Sequence, residues 1–388
     1  MKKDLVIKKN SVGEYFFFIS LAIFLVITIL DSSFFCKMFS SNFVKVCMYT
    51  CIVLSIFKET LNKKIKLKEL IFLCICLFLS IILAYHLNMI TMLPVFFLIY
   101  SGRNIELEKI LRFIKNITIV LLLIIIVSSK LGIITNYVNY MNGRIREYLG
   151  FRYCLFPAMY MFNISAISLY LNRKKFSILN VVILTVLNYM IFNFTDSRLS
   201  FYLYLILLFG YVFLSIPKCY KFIEKRKFVR RLMISSFIII AIISFIVTIF
   251  YDSNNDIYVQ INKVLESRLN FGKAAIDEYG ISLFGNNVKF NGNGLGRNGI
   301  NNVEDYNYVD CLYLTITIKY GIIFCILYLL LHTLTLYNIN KNKDYLLLFI
   351  FFIIALHGTI DDLGLELYYN AFWFAIGTNI LNLKKKKV

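Results

Sequence analysis

The sequence predicts an all-α polytopic membrane protein of about twelve transmembrane helices. Two observations predict it. Long apolar runs alternate with loops, and every second loop carries most of the Lys and Arg. Backbone groups in lipid must be satisfied within their own segment, so apolar runs near 20 residues read as spanning helices. Composition agrees. Hydrophobic residues make up 59% of the 388, mean hydropathy is +0.72, and charged residues are 16% against roughly 25% in soluble domains.

The apolar runs centre on 15–30, 43–57, 69–85, 87–101, 117–134, 155–171, 177–194, 199–216, 232–250, 311–331, 345–357 and 370–383. The basic segments are the N-terminal stretch with Lys2, Lys3, Lys8 and Lys9, the loops Lys58–Lys68, Gly102–Asn116, Asn172–Phe176, Pro217–Arg231 and His332–Asp344, and the tail Lys384–Lys387. Together they hold 29 of the 42 Lys and Arg. They fall on one side if both termini are cytoplasmic, as the positive-inside rule requires. Residues 1–388 then form a single integral membrane domain. No A-x-A-like cleavage site follows 15–30, and eleven more runs do, so this run reads as a retained first helix rather than a signal peptide.

The net charge of +20 is therefore a topology signal, and anionic lipid adds to its use. Nucleic-acid binding is disfavoured, because no basic patch is interleaved with a soluble domain. The nine Cys set no framework. Those in spans act as small hydrophobes, and Cys74-Ile-Cys76 is not metal spacing. Cys154 and Cys311 fall on the outer side, where a bridge is allowed but not required. Three His and the lack of H-E-x-x-H, Walker A or C-x-x-C disfavour a metal enzyme or an ATP-driven pump. No metal or other cofactor is expected.

The outer face holds the sizeable soluble material: a loop at 135–154 and a larger one at 251–310. A loop of that length is usually functional. The larger loop reads as a helical stretch near 256–279, then the Gly/Asn-rich 285–302. Its few basic residues are mostly Arg. Arg144, Arg146, Arg152, Arg198, Arg268 and Arg297 lie outside or at the boundary, and the guanidinium fork grips phosphate or carboxylate with two bonds. Arg198 sits between two spans with almost no loop, where an ionisable residue is a functional candidate by default. The competing role is a snorkelling Arg paired with Asp196. Ile257, Ile261, Val264 and Leu265 make a helical stripe. Arg268 lies on its edge, turned toward the membrane body, with Asp252, Asp256, Glu266, Asp277 and Glu278 as structural partners.

The run Gly292–Gly299 reads as tight turns, with backbone N–H groups available to a site. Asp310, at the mouth of a span, suits either a general base or a helix N-cap. His357, Asp361, Asp362 and Glu366 form an alternative acid/base cluster, with His357 and Asp361 four residues apart. Tyr306, Tyr308 and Tyr313 flank Asp310.

Several of these elements resemble the Wzy-type polysaccharide polymerases of bacterial surface glycan assembly, and the related O-antigen ligase superfamily. The matching pieces are Arg146-Glu-Tyr-Leu149-Gly150-Phe151, Thr195-Asp-Ser197-Arg198, and Ser267-Arg268 followed by Ile281-Ser-Leu-Phe284-Gly285. Asp310-Cys-Leu-Tyr313 followed by Lys319-Tyr320-Gly321-Ile322-Ile323 also matches, and Glu366 and Asn370 fall where a late Glu and Asn recur. The likeness covers about 140–380. Cys311 departs from the family's usual Asn. Asp310 stands where ligases carry His, which favours polymerase over ligase.

The resemblance implies an enzyme of the bacterial cytoplasmic membrane. It would transfer a growing glycan from undecaprenyl pyrophosphate to a hydroxyl of the next lipid-linked repeat unit. Arg198 and Arg268 would hold the pyrophosphate and Asp310 would be the base. Arg144, Arg146, Arg152, Tyr313 and Glu366 would contact substrate. A flippase and a chain-length regulator would be partners. A ligase-type glycan transferase and a polysaccharide flippase or other transporter are the alternatives. Transporters concentrate polar residues at the midplane in broken spans. Here span centres are nearly free of charge, Lys319 excepted.

Overall fold

The computed structural model describes residues 2–61, 67, 69–71, 73–75, 77, 78, 92–141, 143–300 and 306–381. Helices dominate: α1 (Lys2–Asp31), α2 (Ser41–Thr60), α3 (Met92–Gly102), α4 (Leu107–Lys130), α5 (Phe156–Leu171), α6 (Ile178–Thr195) and α7 (Arg198–Ser215). Then follow α8 (Pro217–Lys225), α9 (Lys227–Ile234), α10 (Ser236–Ile249), α11 (Asp256–Val264), α12 (Arg268–Tyr279), α13 (Leu312–Thr315), α14 (Ile322–Lys341), α15 (Tyr345–His357) and α16 (Ala371–Ile380). Side-chain caps start several of them. Ser40, Ser177 and Asp344 accept from Phe43, Asn180 and Leu347 N–H, satisfying donors that a helix start leaves open.

Among the described residues, five helices are long and apolar enough to cross a membrane: Val12–Asp31 within α1, α4, α6, α7 and α14. The pair α9–α10, bent by 62°, makes a sixth if it is one span. The chain is thus a helical protein with the segments a membrane protein needs. α3, α5, α15 and α16 are apolar but shorter. The predicted run 69–85 lies partly, and the start of 87–101 and the tail Lys384–Lys387 lie wholly, outside the described residues.

Packing explains which faces turn inward. α6 exposes Ile178, Leu179, Val182, Ile183 and Val186. Its buried polar residue, Asn188, donates to Ser165 Oγ of α5 at 2.7 Å. A buried amide must find a partner, and finding it fixes the roll of α6. α5 is buried on all sides, as an all-apolar helix at a bundle centre should be.

Four local expectations need correction. The loop 135–154 contains a hairpin of β1 (Val138–Met141) and β2 (Arg144–Glu147), so the fold is not wholly α. Gly143 at φ +72° supplies the turn conformation that closes it. The stretch 256–279 is two helices, broken at Glu266 and Ser267, both left-handed. The segment 332–344 is mostly helix. α14 runs to Lys341, burying His332 among Phe237, Tyr328 and Trp373. Pro217–Arg231 is no open loop but two short amphipathic helices.

Polar contacts gather at the two ends of the bundle. At one end Arg103 bridges Glu59 and Glu69, Arg173 bridges Glu108 and Asp344, and Lys343 meets Glu224. At the other, the end of α1, the hairpin, the α6–α7 turn and the segment 250–311 meet one another.

Candidate functional site

This second end holds the site. β2 carries Arg144 and Arg146 two residues apart, and strand alternation puts them on one face. Arg144 Nε pairs with Asp196 Oδ2, and its Nη2 donates to Asp196 O at 2.9 Å. Asp196 sits left-handed (φ +46°) at the end of α6, which leaves its carboxylate between α6 and the hairpin. Its other oxygen lies 3.2 Å from Arg198 Nε. Arg144 Nη1 reaches Glu266 at 3.6 Å, and Glu266 reaches Arg268 at 3.5 Å. Arg268 Nε lies 3.4 Å from Asp310 Oδ2, which accepts from Tyr306 OH at 3.1 Å.

The result is a ladder in which Arg198, Arg144 and Arg268 alternate with Asp196, Glu266 and Asp310. Among the described residues, three of the five non-glycine residues with positive φ (Asp196, Glu266 and Ser267) lie in it or border it. Such conformations cost of order 1–3 kcal/mol each and gather at functional sites.

A second group adjoins. Tyr308 OH donates to Asp362 at 2.8 Å. His357 Nε2 is 3.7 Å from Asp361, but the helix ends at His357, so the two meet across the turn that follows it rather than on one helix face. Asp361 and Asp362 feel the charge of Asp310, which joins the two predicted base sites into one field. Lys319 acts on Asp362 and Glu366 as the nearby cation.

Electrostatics divide the two groups. Burial opposes the Asp196 charge, but Arg144 and Arg198 outweigh it and hold its pKa below the usual range. Burial lifts Asp310, with Arg268 opposing. Burial also lifts Asp362 to about 6 and Glu366 to about 7. Asp361 rises well above its ordinary value, through burial and then the charge of Asp362. Half-buried carboxyls poised near neutrality suit proton transfer.

Not every predicted residue joins. Arg198 is more than half exposed and paired with Asp196. It is the exposed end of the ladder. Arg152 spends its donors on Asp31 and on the carbonyls of Asp31 and Leu295. Arg297 does likewise with Asp31, Cys36 O and Phe39 O. These two tie the Gly-rich segment to the end of α1, a structural role. Tyr313 is fully buried, its hydroxyl on Ala355 O at 2.8 Å, so no sugar can stack on it. Cys154 and Cys311 are free thiols. The stripe Ile257, Ile261 and Val264 faces outward rather than inward.

Arg146 is half-buried and has no carboxylate partner among the described residues. Its Nε is buried without a hydrogen bond. Sequence reasoning missed Arg144 reaching Asp196, and Tyr308 reaching Asp362. Both pairs join segments about fifty residues apart, and neither leaves a local signal.

Chemically, a row of guanidiniums interleaved with carboxylates is balanced when empty and strongly attractive to a polyanion that displaces the carboxylates. Among the described residues no group of His, Cys, Asp and Glu is arranged to hold a metal ion. No known protein family, curated protein or solved structure matches this chain.

Proposed function

We propose that the protein polymerises undecaprenyl-pyrophosphate-linked oligosaccharide repeat units on the outer face of the bacterial cytoplasmic membrane. The observation that carries this reading is the arginine ladder beside half-buried, neutral-range carboxyls, all at the bundle end opposite the basic loops. The ordered motif likeness over 140–380 adds to it. In this reading the chain crosses about twelve times, both termini are cytoplasmic, and the ladder faces outward. A flippase delivers the lipid-linked units, and a chain-length regulator is the expected protein partner.

The mechanism follows from the charges. The donor's diphosphate lies across Arg268, Arg144 and Arg146, with Arg198 at the rim. The acceptor hydroxyl gives its proton to the Asp310 carboxylate as its oxygen bonds to C1 of the donor sugar. The C1–O bond to phosphate breaks, and the electron pair leaves on undecaprenyl pyrophosphate. Guanidinium forks stabilise that developing charge without a metal. Burial makes Asp310 a better base, and Arg268 keeps it ionised between turnovers. Tyr306 aims it. Glu366 and Asp362 sit where sugar hydroxyls would hydrogen-bond.

The test is the size distribution of lipid-linked and surface glycan in a deletion strain carrying wild type, Arg268→Ala or Asp310→Ala. The expected result is loss of long polymer, with single repeat units accumulating on the outer leaflet and activity down about 100-fold or more. Units stranded on the cytoplasmic side would instead mean a flippase. Full-length polymer left on its lipid would mean a ligase.

A further inference from the structure

α11 protrudes from the bundle end. It turns Tyr258, Asn262 and Leu265 toward the protein and leaves most of its other side chains exposed. Asn262 fixes that roll. Its Oδ1 accepts from Leu269 and Asn270 N–H at 3.1 and 3.3 Å, capping α12, and its Nδ2 donates to Tyr251 OH at 3.2 Å. With the helix held by this residue, Ile257, Ile261 and Val264 project along one flank within about 60° of arc, given 3.6 residues per turn. Lys263 projects about 130° away from them, and Asp256 lies nearby on that polar side. The flank is strongly exposed: Val264 by 80% and Ile257 by 69%.

An apolar flank of this kind in water is a liability unless something covers it. The neighbouring helix points to the cover. α10 exposes Ile242, Ile243, Ile246 and Ile249 along its outer face, and Phe250 continues that surface. That face is the exposed apolar surface of a candidate span. Only residues 250–255 separate it from α11, a reach of at most about 20 Å. The apolar flank is therefore within reach of the interfacial zone in which that span would end.

We infer that α11 is an interfacial helix, lying on the bilayer with Ile257, Ile261 and Val264 in the headgroup–acyl boundary and Lys263 toward water. Its partner is the lipid surface. The arrangement has a structural consequence. α11 leads through the left-handed pair Glu266–Ser267 directly into Arg268. A helix seated on the bilayer sets the height of Glu266 and Arg268 above the acyl chains, at the level of lipid phosphates.

The test uses full-length protein in nanodiscs of phosphatidylethanolamine and phosphatidylglycerol, with and without brominated acyl chains. Val264→Trp and, separately, Ile257→Trp add one indole to the native Trp373, whose own signal is subtracted using wild type. Brominated lipid is expected to remove most of the added emission for both variants, and to leave that of Lys263→Trp nearly intact. Unquenched emission at 264 and 257, or equal quenching at all three positions, would overturn the inference. The readout is a location, so it stands or falls independently of any polymerase activity.

Discussion

The charge of Asp310 acts on Asp361 and Asp362, that of Asp362 acts on Asp361 and Glu366, and burial raises the pKa of all four. Carboxyls in an unfolded chain titrate near pH ~4. In the folded protein Asp362 titrates at about 6 and Glu366 at about 7. The folded state therefore binds more protons than the unfolded state across the window between those values. Stability then falls as pH rises through that window and is greatest at its acid end. Asp196 has the opposite sign, because Arg144 and Arg198 lower its pKa, but its effect is confined to pH below about 4. The expected outcome is a thermal midpoint in detergent that is higher at pH 5 than at pH 8. Asp362→Asn or Glu366→Gln should raise the pH 8 midpoint and flatten the slope. A midpoint that climbs with pH in wild type would show that these carboxyls are charged and well paired in the fold. This scale was partly legible in the sequence. Arg268, Asp310 and the His357–Asp361 pair were visible because spacing and position at a span mouth mark them. The cross-links Arg144–Asp196 and Tyr308–Asp362 were not, since only folding brings those segments together. Arg152 and Tyr313 carried the right chemistry for a substrate but are occupied by Asp31 and Ala355.

At the scale of elements, the break between α13 and α14 is what brings the large loop down onto the bundle. The wide turn Ile316–Tyr320 ends at Gly321, φ +92°. Segment Ser282–Asn286 is stitched across it. Ile322 and Ile323 N–H donate to Ser282 and Leu283 carbonyls, and Asn286 donates twice to Ile318 O. Those bonds satisfy the groups that a helix break leaves open. The backbones approach so closely that a Cβ on Gly285 would lie 2.3 Å from Lys319 O, and one on Gly321 would lie 2.4 Å from Gly285 N. Both residues also have φ near +90°. Gly285→Ala is therefore expected to cost about 3 kcal/mol or more, strain and clash together. Gly294→Ala meets nothing within 4 Å and should change stability by less than about 0.5 kcal/mol. Thermal unfolding of the two variants in parallel checks this, and equal midpoints would refute the stitched geometry. The sequence drew attention to the run Gly292–Gly299. The glycines under the tightest constraint are instead the isolated Gly285 and Gly321, because close approach of two backbones is a tertiary property that a local glycine count cannot carry.

Across the whole molecule, the charge pattern and the contact pattern agree on two ends. Lys58, Arg103, Lys109, Arg173 and Lys343 make their ion pairs at one end, and these positions fall in the segments that hold most of the Lys and Arg. Arg144, Arg198, Arg268 and Arg297 make theirs at the other. Lys-rich loops resist translocation, so the first end is cytoplasmic if the chain is inserted in a bacterial membrane. That end includes the tight turn at Arg226 between α8 and α9 and the turn at Asn342–Asp344. The second includes the exposed segment 252–255 before α11. The orientation is checked by reporter insertion at exposed positions. A fluorescent protein that folds only in the cytoplasm, inserted after Arg226, should be bright, and a phosphatase active only outside should be inactive there. Inserted after Ser253, the two should exchange behaviour. The same result at both sites would mean that the two polar ends lie on one side of the membrane. The exchanged result in reverse would put the arginine ladder in the cytoplasm, where lipid-linked repeat units are assembled rather than joined. In that case the ladder would have to act on a cytoplasmic polyanion, and the proposed polymerisation would be excluded by location alone.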